Sequence, residues 1–220
     1  MRVEFQQSLD SLEASLQEQG ALVLRAVRGA MNALEAQDVE LCDEVIAFDD
    51  EIDDRYHRME KSIEELLALQ APVAADLRLV LAVLHNSIHL ERIGDHAVTI
   101  AKLTKLTAAF EPRHDLVEGL REMADRAEEM VRAALAAFAA RDVARARSLV
   151  ELDELIDRTN RRVVGTVLSM AASPEQQEWG MRMIIVARSL ERIGDKAVDI
   201  GEQTEFAATG EFHEFSDASH

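Results

Sequence analysis

Residues 91–100 read ERIGDHAVTI and residues 191–200 read ERIGDKAVDI, one decapeptide written twice with eight of ten residues unchanged. Each copy sets a Glu and an Asp four residues apart, Glu91/Asp95 and Glu191/Asp195. On a helix that spacing puts the two carboxylates on one face, a turn apart. Such a repeat describes a duplicated helical module with an anionic site in each half.

Working outward, helical periodicity runs along nearly the whole chain. Phe5, Leu9, Leu12, Leu16, Val23, Val27, Met31 and Leu34 mark a first helix, and Val45, Phe48, Ile52, Met59, Ile63 and Leu66 a second. Pro72 is expected to open the third, since proline is tolerated in a first turn and not in a helix interior. Leu116 to Phe138 form a fourth, Leu149 to Met170 a fifth, and Pro174 opens a sixth.

The halves align beyond the decapeptide. Ala36-Gln37-Asp38-Val39 matches Ala140-Arg141-Asp142-Val143, Ile52-Asp53 matches Ile156-Asp157, and Pro72 matches Pro174. The expected fold is therefore all-α: six long helices in two pseudo-symmetric three-helix bundles, an internal duplication. The bundles are expected over residues 1–108 and 109–209, meeting at the break around Pro112, with a flexible polar tail at 210–220.

Composition agrees. Aromatics are 4% of the 220 residues, and three prolines and nine glycines leave few turns, a balance that favours long helices over sheets. The formal charge of −18, from 42 acids against 24 bases, disfavours nucleic acid and anionic lipid as direct partners. One cysteine, Cys42, precludes an internal disulfide and suits a reducing compartment. No apolar run approaches the about 18 residues of a membrane span, and the acidic N-terminus does not resemble a signal peptide, so a soluble, intracellular protein is expected.

A second pair of acids emerges from the alignment. Asp49 and Asp53 on the second helix correspond to Asp153 and Asp157 on the fifth. Stepping by fours and threes along the third helix gives Leu77, Leu81, Leu84, Ile88, Glu91, Asp95 and Val98, so the acids continue an apolar stripe. Acids on such a stripe cost several kcal/mol unless paired or bound to a cation. Two readings stay open. Either four carboxylates per bundle surround hard cations (Mg, Ca, Mn or oxidised Fe suit an all-oxygen set), or the acids form a solvated edge neutralised by Arg92, Arg192, Arg55 and Arg158. Gly94 and Gly194 favour the first, because an interior helical glycine often marks a close approach.

Other motifs carry less. His85 and His89 are spaced like a metal clamp, but Ile185 and Ser189 replace them in the second half, so a partly exposed polar pair is expected. His96 is matched by Lys196, His57 has no counterpart, and Cys42 lies on the apolar stripe as a core thiol. There is no P-loop, Gly-rich dinucleotide turn or nucleophile elbow. A di-iron carboxylate enzyme would want Glu-x-x-His on core helices, and the literal match, Glu111 to His114, falls in the linker. A ligand-free helical scaffold is a third possibility.

Taken together, LERIGDHAVTIA at 90–101, LERIGDKAVDIGE at 190–202, ALEAQD at 33–38, FDDEID at 48–53 and APVAADLR at 71–78 resemble the PhoU family of phosphate-signalling regulators, across residues 5–208. The resemblance implies two similar three-helix bundles and a cytoplasmic, non-enzymatic adaptor, peripheral to the membrane through protein partners and able to form a homodimer. It implies that the adaptor couples a Pst-type phosphate ABC transporter, through its ATPase, to a phosphate-sensing histidine kinase and restrains both uptake and signalling. It further implies metal ions or multinuclear clusters held by Asp49/Asp53 with Glu91/Asp95, and by Asp153/Asp157 with Glu191/Asp195. A related protein serving another transporter is the alternative.

Overall fold

The computed structural model describes residues 2–170 and 173–215, and every regular element in it is a helix. These are α1 (Arg2–Ala36), α2 (Val39–Gln70), α3 (Ala75–Thr107), α4 (His114–Ala140), α5 (Val143–Arg147), α6 (Leu149–Leu168) and α7 (Pro174–Thr209). The two halves start their second helices in the same way. Gln37 and Arg141 take left-handed φ of 52° and 54° and end the preceding helices. Asp38 and Asp142 then accept from the N–H of Leu41 and Arg145, both at 3.0 Å, as N-caps.

The expected six helices form, with two local departures. The expected fifth, Leu149 to Met170, is α6, and a short additional helix, α5, precedes it, the two parting at Ser148, whose exposed hydroxyl donates to the Arg145 carbonyl at 2.8 Å. The third begins at Ala75 and not at Pro72. Ala71 (φ 43°) caps α2 by donating to Leu67 O at 3.2 Å, and Ala74 is also left-handed (φ 50°). The reversal needs this whole turn, so Pro72 sits where a proline stops the preceding helix. Pro174 does open α7, with Ser173 as N-cap.

Within each half the helices run up, down and up. Gln19 Nε2 donates to Ser87 O at 3.0 Å and Gln37 Nε2 to Phe110 O at 2.8 Å, so α1 and α3 run parallel. Lys105 on α3 pairs with Asp43 on α2, which runs the other way. The two bundles then pack through α1 against α4 and α3 against α7, leaving α2 and α6 on the flanks. Both contacts are antiparallel. Glu13 pairs with Arg141 while Glu35 pairs with Arg121. His85 meets Gln203 while Leu106 O accepts from Arg182 Nη1 at 3.3 Å. The stripes read from sequence form the core, with Leu16, Met31, Ile52, Leu90, Ile93, Phe138 and Ile193 fully buried. Such burial, at about 1.5–3 kcal/mol per large side chain, is what fixes the layers.

After Gly210 (φ 84°) ends α7, the chain folds back along that helix. Phe215 N–H donates to Glu202 Oε1 at 2.7 Å, and His213 Nδ1 lies 3.0 Å from Glu205 Oε1, which Arg147 also binds. Among the described residues no helix is long and apolar enough to cross a membrane.

Candidate acidic sites

Asp49 and Asp53 lie on α2, and Glu91 and Asp95 on the neighbouring α3, all four half-buried. Gly94 permits the meeting: a Cβ there would stand 3.2 Å from Asp49 Oδ1 and from Ile52 Cδ1. The second half repeats the arrangement on α6 and α7. A Cβ at Gly194 would stand 2.8 Å from Asp153 Oδ1 and 3.1 Å from Ile156 Cδ1. Each helix of the repeated decapeptide thus omits a side chain where its flanking helix lays down an acid and an isoleucine.

Crowding shows in the titration of the first site. Burial, then the charges of Asp53 and Asp95, push Asp49 up to about 6, with Lys102 partly offsetting them. Glu91 is raised by burial and then by Asp95, Asp53 and Asp49, against the pull of Arg92. The four acids therefore act on one another as a group. In the second site Asp195 is raised by burial and Glu191, while Arg192 and Arg188 hold it down.

The cations are distributed differently from the sequence expectation. Arg92 Nη1 binds Asp95 Oδ2 at 3.0 Å and Arg192 Nη1 binds Asp195 Oδ2 at 3.2 Å, as expected. Arg55 instead reaches Glu18 on α1 at 2.5 Å, and Arg158 binds Glu154 at 2.8 Å, so neither neutralises a site acid. Three partners in the second site were not singled out. Arg188 pairs with Glu191, Asn160 Nδ2 donates to Glu191 Oε2 at 2.9 Å, and Arg161 lies 3.8 Å from Asp157 Oδ2. The i, i+3 and i, i+4 spacings of Arg188–Glu191 and Asp157–Arg161 were the available signal.

The donor set of eight carboxylates fits a hard cation in kind, and the glycine gaps bring two helices of acids together. As placed, no three His, Cys, Asp or Glu side chains among the described residues converge closely enough to hold a metal ion. A bound cation would therefore draw the carboxylates inward and displace the arginines now bound to them.

The remaining candidates stand apart. His85 and His89 face α7, where His89 Nδ1 lies 3.4 Å from Asp199 Oδ2, itself bonded by Lys196 at 2.6 Å. Burial pushes His89 down to about 4, so it is neutral at pH 7. The pair is partly exposed, as expected: His85 is exposed, and the His89 side chain, 20% accessible, lies between helices. His57 is exposed and sits 3.8 Å from Glu60, and the Cys42 thiol is buried and pushed up by burial. Glu111 is in the linker and His114 is at the exposed start of α4.

Comparison with known proteins gives one result throughout. The family model described as the PhoU domain matches twice, over residues 16–104 and 120–204. A phosphate-specific transport system accessory protein PhoU homolog of Clostridium acetobutylicum is 30% identical over 215 residues, covering 97% of this chain and 98% of that protein. The homolog of Pseudomonas aeruginosa is 34% identical over 213 residues, covering 94% and 86%. The crystal structure of PhoU from Pseudomonas aeruginosa superposes with a TM-score of 0.88 at 30% identity, covering 94% of this chain and 100% of that one.

Proposed function

This chain belongs to the PhoU family, and from that premise we propose that it is a non-enzymatic, cytoplasmic accessory regulator of phosphate-specific transport. It restrains phosphate uptake and phosphate-regulon signalling by docking on the transporter's ATPase and on a phosphate-sensing histidine kinase. The observation that carries this reading is end-to-end similarity to relatives named as accessory proteins of that transport system. Its chemistry supports an adaptor: an acidic, helical body of net charge −18 is attracted to basic protein surfaces. By binding one conformation of a partner better than another, such a body shifts its population without catalysing anything.

The two acidic sites belong to the same reading. Asp49, Asp53, Glu91 and Asp95 would hold cations in the first bundle, and Asp153, Asp157, Glu191 and Asp195 in the second. Mg, Ca, Mn or Fe, singly or as a cluster, would supply positive charge that cancels the repulsion among the acids. The acids come from both α2 and α3 and from both α6 and α7, so occupancy would stiffen each bundle's outer seam.

Affinity capture of the tagged protein from its native host, grown with phosphate plentiful and then scarce, tests the adaptor role. Phosphate-dependent recovery of the transporter ATPase or the kinase is expected. Recovery of neither under both conditions would overturn the reading.

A further inference from the structure

His85 and His89 stand a turn apart on α3, on the side that meets α7 of the other bundle. Each ring turns the same nitrogen to that helix. His85 Nδ1 lies 3.2 Å from Gln203 Oε1, and His89 Nδ1 lies 3.4 Å from Asp199 Oδ2. A carboxylate or amide oxygen can only accept, so Nδ1 is the protonated nitrogen of both rings. In a neutral imidazole the lone pair then sits on Nε2, and among the described residues neither Nε2 has a hydrogen-bond partner.

The two acceptors are themselves held in place. Gln203 is 6% exposed, and Lys196 Nζ binds at 2.6 Å the Asp199 oxygen that faces His89. The other end of the antiparallel α3–α7 pair shows what the same positions hold when no such set is needed. There the repeat places Ile185, Ser189, Thr99 and Leu103, none of which carries a nitrogen or a carboxylate in its side chain. Ile185 is simply exposed, at 48%. Both histidines and both acceptors thus occur together at one end of the seam and are replaced together at the other.

Two imidazoles at i and i+4 share one helical face, the spacing with which a helix chelates a metal. A hydrogen bond from Nδ1–H to a carboxylate or carbonyl oxygen fixes the tautomer and raises the basicity of the coordinating Nε2. Nitrogen donors select a borderline cation such as Zn, Ni or Cu, in contrast to the hard Mg, Ca or Mn that suit the acidic sites. No third His, Cys, Asp or Glu among the described residues closes the set, so water fills the remaining positions.

We propose that His85 and His89 form a site for a borderline divalent cation, zinc in type, bound through both Nε2 atoms with Gln203 and Asp199 as positioning residues from the other bundle. The site uses none of the eight acids of the α2–α3 and α6–α7 seams. A cation on Nε2 draws electron density from the ring and strengthens both Nδ1–H bonds, so its binding tightens α3 against α7.

Long-range ¹H–¹⁵N NMR of the purified full chain, titrated with Zn²⁺ alone, reads each ring nitrogen separately and needs no transporter or kinase, so its outcome is separate from that of the adaptor reading. The Nε2 resonances of His85 and His89 are expected to move together while both Nδ1 atoms stay protonated. His85→Asn, at an exposed position that folding tolerates, should leave His89 needing about tenfold more Zn²⁺ or worse. Asp199→Ala should weaken binding by about tenfold while both rings still respond, as loss of an orienting partner does. Asp49→Asn with Asp95→Asn should leave the histidine response intact. Rings that Zn²⁺ does not move, or a metal on Nδ1, would overturn the proposal. So would a His89 response unchanged by His85→Asn, or one abolished by the acid substitutions.

Discussion

The two acidic sites carry matching sets of four acids in corresponding positions but are not equally neutralised. In the first, Arg92 serves Glu91 and Asp95 together, and Asp49 is left with a distant Lys102. In the second, Arg188 and Asn160 hold Glu191, Arg192 holds Asp195, and Arg161 approaches Asp157. Duplication preserved the acids and let their cations diverge. To take up a cation the first site would have to displace Arg92 alone, whereas the second would have to displace Arg188, Arg192 and Arg161.

The sharpest contrast should be steric. Gly194→Ala would put a methyl 2.8 Å from Asp153 Oδ1, close enough that something must shift. A loss of about 2–3 kcal/mol is expected in thermal or urea unfolding. Gly94→Ala meets nothing nearer than 3.2 Å and gains helix propensity of about 1 kcal/mol, so it should be close to neutral. Equal losses at both positions would break the distinction between the two seams.

Cation binding should follow the same asymmetry. Calorimetric titration with Mn²⁺ is expected to show the first site about tenfold tighter, or about 1.4 kcal/mol, since no arginine has to leave Asp49 or Asp53. Asp49→Asn with Asp95→Asn should remove the tighter event, and Asp153→Asn with Asp195→Asn the weaker one. Loss of the same event from both double variants would defeat the comparison.

Protonation offers a smaller test. Asp49 binds its proton more tightly in the folded protein, at about 6, than in the unfolded chain, at about 4. Its contribution is thus complete below about pH 4 and is lost as pH rises to about 6, leaving the metal-free protein to bear the repulsion at pH 7. Asp49→Asn should flatten that slope and raise stability at pH 7, by less than about 1 kcal/mol given partial exposure. Asp195→Asn, where two arginines already offset the repulsion, should change less. An Asp49→Asn protein with an unchanged melting profile from pH 4 to 7 would contradict the charge crowding.

Smallest of all, Arg188→Ala should cost about 0.5 kcal/mol, as exposed pairs do. It should also bring the second site's cation affinity towards that of the first. If affinity falls instead, Arg188 positions Glu191 for binding and does not compete with it.

Periodicity alone located the long helices, and the offset between halves located all eight acids, because both are properties of local spacing. Pro72 misled because its placement depends on the reversal at Ala71 and Ala74, whose left-handed backbones no side chain announces. The short α5 before Ser148 goes unread because five residues are too few to show a helical period. Arg55 illustrates a different limit. Its neighbours along α2 include site acids, yet it reaches Glu18 on α1, a pairing decided by how the helices pack and not by their sequence spacing. The metal reading rests on residue type and proximity, which the sequence shows, whereas convergence is a tertiary property that it does not.

The six residues that join α3 to α4, 108–113, have a thermodynamic meaning beyond connectivity. Two three-helix units pairing through α1/α4 and α3/α7 as separate chains would come together and part by mass action. The linker makes that encounter unimolecular, at an effective concentration of order millimolar whatever the cell's expression level. Both acidic sites are thereby delivered to any partner in fixed one-to-one stoichiometry. Each is then free to drift in charge, as the arginines show, without either half losing the other by dilution.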